Sequence, residues 1–494
     1  MIGRLVAAVD LGASNGRVMV GRVAPRELEL TELHRFPNEP VRVRDTLYWD
    51  VLRLHHEAWT GLRAAATAAD PSGGLVSIGV DSWGVDHVLL DERGALLSDP
   101  VHYRDERTTA VVPAVHRTIP PADLYARTGI QHLPFNTIYQ LAADQALMPA
   151  FAAARTMLLI PDLFAFWLSD VAIAEVTNAS TTALLDVARR TWDDELIAML
   201  GLPRGLFPQL GAPGDVLGPL RPDVRSELDG ASETVVTLVG SHDTASAVVA
   251  VPAGDVPFAY VACGTWGLVG VELERAIVTE DSRRANFTNE GGVDDRIRFL
   301  RNVMGLWLLQ ESLRAWEQAG TAESLPAILI AAAELPVGGP RINPDDPAFL
   351  PPGDMESRIV AACARSDQPP PVTRPAIVRC ILDSLAAKFA ETVREAARLS
   401  GATVAVVHLV GGGARNGLLC QLTADACELP VVAGPVEATA LGNVLVQARA
   451  HGLLSGDLEA LRALVRSTQD IRRYEPRSVT TSMARAAAGK PLSR

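Results

Sequence analysis

The sequence predicts an α/β fold made of two large domains. Its 494 residues are too many for one ordinary core, since a domain usually takes about 150 residues. Short apolar, β-rich runs alternate with longer segments of helical periodicity, which is typical of strands joined by helices. The segments VAAVDLGASNGRVMVG and FAYVACGTWGLVGVEL also share one pattern: a strand, a turn of small residues and a second strand. We therefore expect two halves of similar construction.

Turn residues divide the two halves. The segment VPAGDVP follows an apolar helical stretch and precedes a new strand, so the boundary is predicted there. On this division the domains span residues 5–249 and 257–449, and residues 450–494 form a C-terminal extension.

The individual elements follow from periodicity and from turn residues. The runs expected to be strands are, in chain order, LVAAVDLG, LVSIGVDSWGVDHVLLD, TVVTLVG, FAYVACGTWGLVGVEL, VAVVHLVGGG and LPVVAG. The clearest helix is predicted over 376–399, where apolar residues recur at spacings of three and four and Gly401 follows as a C-cap. Residues 334–354 and 366–375 are rich in Pro and Gly and are predicted to be loops.

Composition and charge exclude several classes of function. The chain has 45 Lys and Arg against 58 Asp and Glu, a net charge of −13, and no basic block, so no nucleic-acid partner is expected. The longest apolar run, 325–336, is too short to cross a bilayer, and the first run meets Asp10 too early for a secretory signal. Five cysteines without CxxC spacing favour reduced thiols over disulfides or zinc. A cytoplasmic protein is expected.

The segment AAVDLGASNGRVMVG carries a candidate phosphate-binding turn. Gly12 and Gly16 are expected to permit the backbone angles of a turn whose N–H groups face phosphate oxygens. Ser14 and Asn15 add side-chain donors, and Arg17 adds a fixed positive charge. On this segment alone, a plain hairpin is the alternative.

Asp10 closes the strand before that turn. A bare carboxylate would repel polyphosphate, so the useful role of Asp10 is to hold Mg²⁺ directly or through water. The only lysines are Lys388 and Lys490, and neither lies in a Walker A or protein-kinase signature. Phosphate charge must therefore be met by N–H groups, hydroxyls, arginine and metal.

The segment VVTLVGSHDTASAVVAV is predicted to be a strand that ends at Gly240 and leads into a helix after Thr244. His242 and Asp243 then lie at the carboxyl end of a strand, where open α/β sheets bind ligands. Asp243 suits two roles, a helix N-cap and a catalytic carboxylate. The helix dipole would favour its ionised form and make it a weak base, which phosphoryl transfer tolerates.

Two further segments carry candidate ligand residues. DSWGVDHVLLDERG is predicted to be a strand hairpin with Asp81, Trp83, Gly84 and Asp86 at its mouth, which suits either a sugar site or an aromatic core. The glycines that begin at Gly411, with Glu437 where a ribose partner would lie, loosely imitate a dinucleotide fingerprint. A nicotinamide-dependent oxidoreductase is therefore one alternative function.

Together these segments resemble the FGGY family of carbohydrate kinases, from the first strand to about residue 475. The resemblance is carried by VDLGASNGRVMV, GVDSWGVDHVLLD, YRDERT, TGIQHLPFNTIYQL, GSHDTASAVVAV, CGTWGLVG, NFTNEGG, NVMGLWLLQE, VGGGARN and GPVEATALGN. It implies two actin-like, ribonuclease H-like ATPase domains with a catalytic cleft between them, which binds ATP and a ketose. The chain is most similar to members that phosphorylate the 1-hydroxyl of L-rhamnulose in L-rhamnose catabolism, with L-fuculose or D-xylulose as alternative substrates.

The resemblance also implies the site residues. Asp243 would be the proton acceptor. The residues implied to contact ATP are Ala13, Ser14, Asn15, Gly16, Arg17, Thr265, Gln310 and Gly412. The residues implied to contact the sugar are Gly84, His242, Asp243, Thr244 and Asn302.

The expected partner is a small-molecule ketose, bound by a monomer or small homo-oligomer without nucleic acid or membrane. An actin-like ATPase that serves as a filament or chaperone module is a second alternative function. It would need an extra partner-binding domain, and the sequence after residue 450 shows no sign of one.

Overall fold

A computed structural model of the chain describes residues 4–69, 73–228, 231, 233–321 and 323–477. The chain forms two compact units, each assembled from separate segments. The first unit comprises Met1–Gly254, Glu272–Leu300 and Glu437–Gln469, and the second comprises Asp255–Val271, Arg301–Val436 and Asp470–Arg494. The division at 5–249, 257–449 and 450–494 follows the order of the sequence and stays a prediction. Residues 478–494 of the predicted extension, Lys490 among them, lie outside the described residues.

The strands and helices alternate along the chain. The strands are β1 (Arg4–Leu11), β2 (Asn15–Ala24), β3 (Glu27–Pro37), β4 (Val41–Val43), β5 (Thr46–Tyr48), β6 (Leu75–Ser82), β7 (His87–Leu90), β8 (Thr156–Leu159), β9 (Ala174–Glu175), β10 (Leu185–Asp186), β11 (Thr191–Trp192), β12 (Leu210–Gly211), β13 (Val216–Pro219), β14 (Val235–Thr237), β15 (Phe258–Cys263), β16 (Trp266–Leu273), β17 (Thr288–Gly291), β18 (Ile297–Met304), β19 (Val406–Val410), β20 (Val431–Ala433) and β21 (Arg472–Tyr474). The helices are α1 (Val51–Ala69), α2 (Val112–Thr118), α3 (Pro121–Thr128), α4 (Thr137–Leu147), α5 (Ile160–Ser169), α6 (Val176–Ala179), α7 (Asp194–Met199), α8 (Pro222–Glu227), α9 (Asp243–Val249), α10 (Glu280–Arg284), α11 (Trp307–Gln318), α12 (Leu325–Ala333), α13 (Met355–Arg365), α14 (Arg374–Ser400), α15 (Gly417–Cys427), α16 (Ala438–Ala450) and α17 (Leu458–Thr468).

The first unit is built on a sheet with the strand order β13-β14-β6-β1-β2-β3. Strands β1, β2 and β3 are antiparallel neighbours, whereas β6 is parallel to both β1 and β14. Every residue of β1 after Arg4 is buried, as expected for an apolar run in the middle of a sheet. Helices α1 and α16 pack against this sheet, and α16 also packs closely on α9.

The second unit repeats this arrangement. Strands β15 and β16 form an antiparallel hairpin, β15 is parallel to β19, β19 is parallel to β20, and β21 closes the edge as an antiparallel strand. In the first unit, β2, β1, β6, β14 and β13 have the same order and directions. The predicted repeat of strand, turn and strand is therefore confirmed.

Two predictions about single elements have different outcomes. The helix expected over 376–399 is confirmed as α14, and Gly401 ends it in the left-handed conformation with a φ of 70°. The hairpin expected within residues 81–94 is wrong, because β7 pairs with β8 and not with β6. Both edges of β6 are already occupied, by β1 and β14, so β7 has no edge to join.

Neither a membrane span nor a disulfide is found in the described part of the chain. No helix there is both long enough and apolar enough to cross a bilayer. The five cysteines are free and buried; they are Cys263, Cys363, Cys380, Cys420 and Cys427.

Candidate active site

Three aspartates of the first unit come together at the carboxyl ends of neighbouring strands. Asp10 and Asp81 are register partners in the parallel strands β1 and β6. Asp243 begins α9 shortly after β14, and a parallel bridge between Ser82 and His242 links that segment to β6. This edge of a parallel sheet is where open α/β folds bind ligands. The structure thus brings together the predicted metal ligand and the predicted proton acceptor.

Asp81 is the most deeply buried of the three carboxylates. Its side chain has no exposed surface, and its Oδ2 accepts a hydrogen bond from Asn443 Nδ2 at 2.5 Å. Its Oδ1 has no hydrogen-bond partner among the described residues. Burial, followed by the charge of Asp10, raises the pKa of Asp81 well above its usual value. A proton or a bound cation is what such a buried oxygen requires.

Arg17 is the counter-ion of this carboxylate group. Its guanidinium lies 2.7 Å from Asp10 Oδ2 and forms a second ion pair with Glu437. Burial works against the charge, but Asp10 and Glu437 together raise the pKa of Arg17 above its usual value. Glu437, which the oxidoreductase alternative would place on a ribose, is therefore engaged with Arg17 in the first unit.

The predicted phosphate-binding turn lies between β1 and β2. The N–H of Gly12 donates to the carbonyl of Asn15 at 3.0 Å and closes a turn over Ala13 and Ser14. Asn38 fixes the turn from one side, because its N–H donates to Ser14 O and its Nδ2 donates to Gly12 O. The carbonyl oxygens of Gly12, Ser14 and Asn15 are thus held by protein donors.

The glycines of this turn have a different role from the predicted one. Neither Gly12 nor Gly16 has a positive φ, so the expectation that they supply special backbone angles is wrong. A Cβ at Gly16 would lie 2.2 Å from the ring of Phe36, and one at Gly12 would lie 2.8 Å from the carbonyl oxygen of Asn15. Close approach of neighbouring atoms, and not conformation, excludes a side chain at both positions.

Asp243 is the first residue of α9. The N-cap position is occupied by His242, whose side chain makes no capping bond, so the N-cap role for Asp243 is wrong. The Asp243 carboxylate accepts a hydrogen bond from Thr244 Oγ1 at 3.1 Å and keeps 29% of its side-chain surface exposed. Burial raises the pKa of Asp243; nearby His242 opposes this shift and Asp10 adds to it. The predicted weak base is corrected to a stronger one, because desolvation and the charge of Asp10 outweigh His242 and the hydrogen bonds from Thr244.

A buried glutamate fixes the break between β14 and α9. Oε2 of Glu175 accepts hydrogen bonds from Ser241 N at 3.0 Å and from Ser241 Oγ at 2.7 Å. The N–H of His242 donates to Thr177 Oγ1, and that hydroxyl in turn donates to Glu175 Oε2 at 2.5 Å. These bonds hold the backbone that carries Asp243.

The predicted sugar contact Gly84 lies in a strained turn after β6. The next residue, Val85, has a φ of 68°, which is a true outlier for a β-branched side chain. Its N–H donates to Thr181 Oγ1 at 3.1 Å, and its carbonyl accepts from Thr137 Oγ1 at 2.7 Å. Strain held in place from both sides in this way is typical of functional sites.

Asp86 organises an aromatic cluster next to this turn. Its Oδ2 accepts hydrogen bonds from Trp49 Nε1 at 2.6 Å and from Trp83 Nε1 at 2.9 Å, and its Oδ1 accepts from Gln140 Nε2 at 2.8 Å. The two tryptophan rings lie 4.1 Å apart and are buried. Of the two predicted roles for this segment, the structure favours an aromatic core for Trp83 and Asp86.

The second unit brings predicted nucleotide contacts together. Thr265 lies in the turn between β15 and β16, and its Oγ1 donates to Gln310 Oε1 at 3.3 Å. The N–H groups of Gly305 and Trp307 both donate to the carbonyl of Thr265, which ties this turn to the start of α11. Asn302 is half-buried in β18.

The glycine turn after β19 packs on the end of β15. Gly411 has a φ of 81°, and a Cβ at Gly413 would lie 2.6 Å from the sulfur of Cys263. The nearest atom to a Cβ at Gly412 is the carbonyl oxygen of Cys263, at 4.0 Å. The turn therefore lies against β15, while Gly412 keeps space above its backbone.

Two residues that the sequence analysis did not identify contact His242. Glu290 in β17 and Arg298 in β18 both lie within 3.2 Å of its Nδ1. A signal was present, because an arginine between Ile297 and Phe299 in an apolar strand requires a buried acceptor. Among the described residues, no group of three or more His, Cys, Asp or Glu side chains has the arrangement of a metal site.

Comparison with known proteins agrees with this architecture. Models of the FGGY family of carbohydrate kinases match residues 5–250 with the N-terminal domain and residues 259–451 with the C-terminal domain. The fold is similar to that of gluconate kinase from Lactobacillus acidophilus, with 16% identity, a TM-score of 0.78, and 98% of this chain and 96% of that chain covered. Xylulose kinase from Rhodospirillum rubrum is 19% identical with a TM-score of 0.75 and 98% of each chain covered. Plasmodium falciparum glycerol kinase with ADP is 15% identical with a TM-score of 0.76, covering 100% of this chain and 99% of that one.

These similarities extend over nearly the whole of each chain. They confirm the predicted fold class, an α/β protein of two actin-like, ribonuclease H-like ATPase domains. With both domain models matched in order, the chain belongs to the FGGY family of carbohydrate kinases and is a sugar kinase.

Proposed function

We propose that this sugar kinase transfers the γ-phosphate of ATP to the 1-hydroxyl of L-rhamnulose and gives L-rhamnulose 1-phosphate and ADP in the cytoplasm. The observation that carries the proposal is Asp243, a partly exposed carboxylate with a raised pKa beside Asp10 at the carboxyl edge of the sheet. The choice of L-rhamnulose rests on the sequence segments described above. L-fuculose and D-xylulose are the alternatives.

Asp243 is the proposed proton acceptor. As the 1-hydroxyl oxygen forms its bond to phosphorus, its proton passes to the Asp243 carboxylate, and the electrons of the breaking bond go to the β-phosphate oxygen of ADP. A carboxylate whose pKa is raised above its usual value takes this proton more readily than an ordinary one. Gly84, His242, Thr244 and Asn302 are proposed to contact the sugar.

ATP is proposed to bind two sets of loops. In the first unit the set is the turn Ala13–Arg17, where Ser14 carries a hydroxyl and Asn15 an amide. Asn38 donates hydrogen bonds to the carbonyls of Gly12 and Ser14, so these oxygens are directed at Asn38 and not at the phosphates. In the second unit the set is Thr265, Gln310 and Gly412. The space above Gly412 supports close approach of a nucleotide to the backbone.

The carboxylates fit a magnesium ion. Asp81 Oδ1 is buried without a hydrogen-bond partner in the described chain, and Asp10 lies beside it. Because Mg²⁺ in kinases usually takes one or two carboxylates and completes its shell with water and phosphate, a larger protein cluster is not needed. We propose that Asp10 holds the ion directly or through water. When bound, Mg²⁺ neutralises negative charge on the phosphates.

A kinase assay across acceptors tests the proposal. We expect the highest kcat/KM with L-rhamnulose among L-rhamnulose, L-fuculose, D-xylulose, L-ribulose, gluconate and glycerol, and a ³¹P spectrum of a 1-phosphate. A higher kcat/KM with any other acceptor would replace the substrate. ATP hydrolysis that no acceptor changes would favour the actin-like ATPase module, and tight NADH binding without ATP binding would favour the oxidoreductase.

A further inference from the structure

The imidazole of His242 meets a buried ion pair. Arg298 has no exposed side-chain surface and Glu290 is 4% exposed. Arg298 Nη2 lies 3.2 Å from Glu290 Oε2. His242 Nδ1 lies 3.0 Å from that same Nη2 and 3.2 Å from that same Oε2. An arginine nitrogen and a glutamate oxygen thus meet at one ring nitrogen.

The arginine decides which ring nitrogen carries the proton. Arg298 Nε donates to the carbonyl of Gly291 at 2.8 Å, which fixes the guanidinium plane and directs Nη2 at His242. A guanidinium has only donors, so the hydrogen bond from Nη2 requires a lone pair on Nδ1. Glu290 Oε2 could accept a proton on Nδ1, but Arg298 Nη2 lies closer to Nδ1, at 3.0 Å against 3.2 Å, and a proton there would point at its N–H. In a neutral ring the hydrogen therefore lies on Nε2.

The other nitrogen faces the proposed catalytic carboxylate. His242 Nε2 lies 3.6 Å from Asp243 Oδ1, which is too long for a hydrogen bond. The Nε2–H therefore lies next to Asp243 but does not donate a hydrogen bond to it. An oxygen of a bound sugar next to the reacting hydroxyl would accept that hydrogen.

We infer that Arg298, braced by Glu290, is a positioning residue that holds His242 as the Nε2–H tautomer and so makes it a hydrogen-bond donor to a sugar oxygen. Recognition at this point is directional, because the site then selects an acceptor there and disfavours a group that can only donate. The claim that the Nε2–H donates to a sugar oxygen rests on the proposed function. The tautomer itself does not.

The tautomer is tested in the unmodified enzyme by ¹⁵N-histidine labelling and long-range ¹H–¹⁵N correlation. The His242 signals are assigned by their loss in His242→Gln. We expect an Nε2–H and an unprotonated Nδ1 that accepts a hydrogen bond. A proton on Nδ1 overturns the inference, whatever the enzyme phosphorylates and whether or not any variant folds.

Kinetics test the consequence. Arg298→Met leaves Glu290 as the partner of Nδ1, so we expect the proton to move to Nδ1. The KM for the ketose should then rise about tenfold. The kcat should change less, and the KM for ATP should not change. Arg298→Lys keeps a donor and is expected to restore part of the ketose affinity. Arg379→Met, which removes a buried arginine paired with Asp383 in the second unit, is the control for loss of packing.

The two failures remain distinguishable. If the enzyme phosphorylates none of the ketoses, the proposed function fails and the spectrum still decides the tautomer. If the spectrum shows Nε2–H but Arg298→Met leaves both the tautomer and the ketose KM unchanged, Arg298 does not position His242, and the inference is overturned.

Discussion

Asp10 and Asp81 face each other as register partners at the ends of two parallel strands, and only the first of them has an ion pair with Arg17. Asp81 instead relies on one donor, Asn443 Nδ2, and its pKa is raised well above the usual value by burial and by Asp10. Folding therefore favours a proton on Asp81.

This proton predicts a pH-dependent stability. Because the pKa of Asp81 is raised in the folded state, protonated Asp81 contributes to the stability of the fold. This contribution is fully present below the ordinary aspartate pKa of about 3.9 and is lost as the pH rises through the folded-state pKa. Asp81→Asn cannot ionise, so the variant does not lose this stability as the pH rises. In EDTA, the variant's Tm should exceed the wild-type Tm by more at pH 8 than at pH 4. Asp45→Asn, at an exposed turn position, is the control, and a pH-independent difference would contradict the assignment.

The proposed proton acceptor predicts a large loss of turnover. Asp243→Asn keeps the shape of the side chain but cannot take the hydroxyl proton, so kcat should fall by about 10²- to 10⁴-fold. The KM for the sugar should change far less. Asp457→Asn, which alters an aspartate at the start of α17, should leave kcat unchanged. Nearly normal turnover in Asp243→Asn, measured by coupled ADP release, would remove Asp243 from this role.

The raised pKa of Asp243 also predicts the acid side of the pH profile. The carboxylate must be ionised to accept a proton, so kcat/KM should rise with pH until Asp243 has ionised and should then level off. The midpoint should lie above the ordinary aspartate pKa of about 3.9, because burial and Asp10 both disfavour the charged form. Initial rates in buffers of constant ionic strength give the profile. A midpoint at or below the ordinary value would be inconsistent with the desolvated site.

Close packing of α16 on α9 predicts a stability defect. A Cβ at Gly442 would lie 1.8 Å from the carbonyl oxygen of Ser246, and backbone atoms cannot give way as a flexible side chain can. Gly442→Ala should therefore lower the free energy of unfolding by about 1–3 kcal/mol, as overpacking usually does. Gly205→Ala, where a Cβ meets nothing within 4 Å, is the matched control. Urea unfolding measures both, and an unchanged midpoint for Gly442→Ala would refute this reading.

Much of the architecture could be predicted because it depends on local patterns. The apolar run before Asp10 and the small residues after it specify a strand and a turn, and helix α14 follows from spacing and from Gly401. The predicted pairing of β6 with β7 after Asp81 was wrong, because β1 and β14 already occupy both edges of β6. Edge occupancy is a property of the whole sheet.

The site shows the same limit. Asp10, His242 and Asp243 stand at strand ends, where sequence position alone suggests chemistry. The raised pKa of Asp243 was not predictable, because it depends on burial and on Asp10, which is far away in the chain. Arg298 was missed for the same reason, since its partner His242 lies 56 positions earlier.

The helix α16 donates hydrogen bonds to strands β1 and β6, which lie far from it in the sequence. Asn443 donates to Asp81, and Gln447 donates to the carbonyl of Ala7 at 3.0 Å, 440 positions back along the chain. During synthesis on a ribosome, Ala7 is therefore made 440 residues before the side chain that donates to its carbonyl. A fragment ending at residue 254 would lack these donors, so we expect that splitting the gene between its halves yields no self-sufficient catalytic piece.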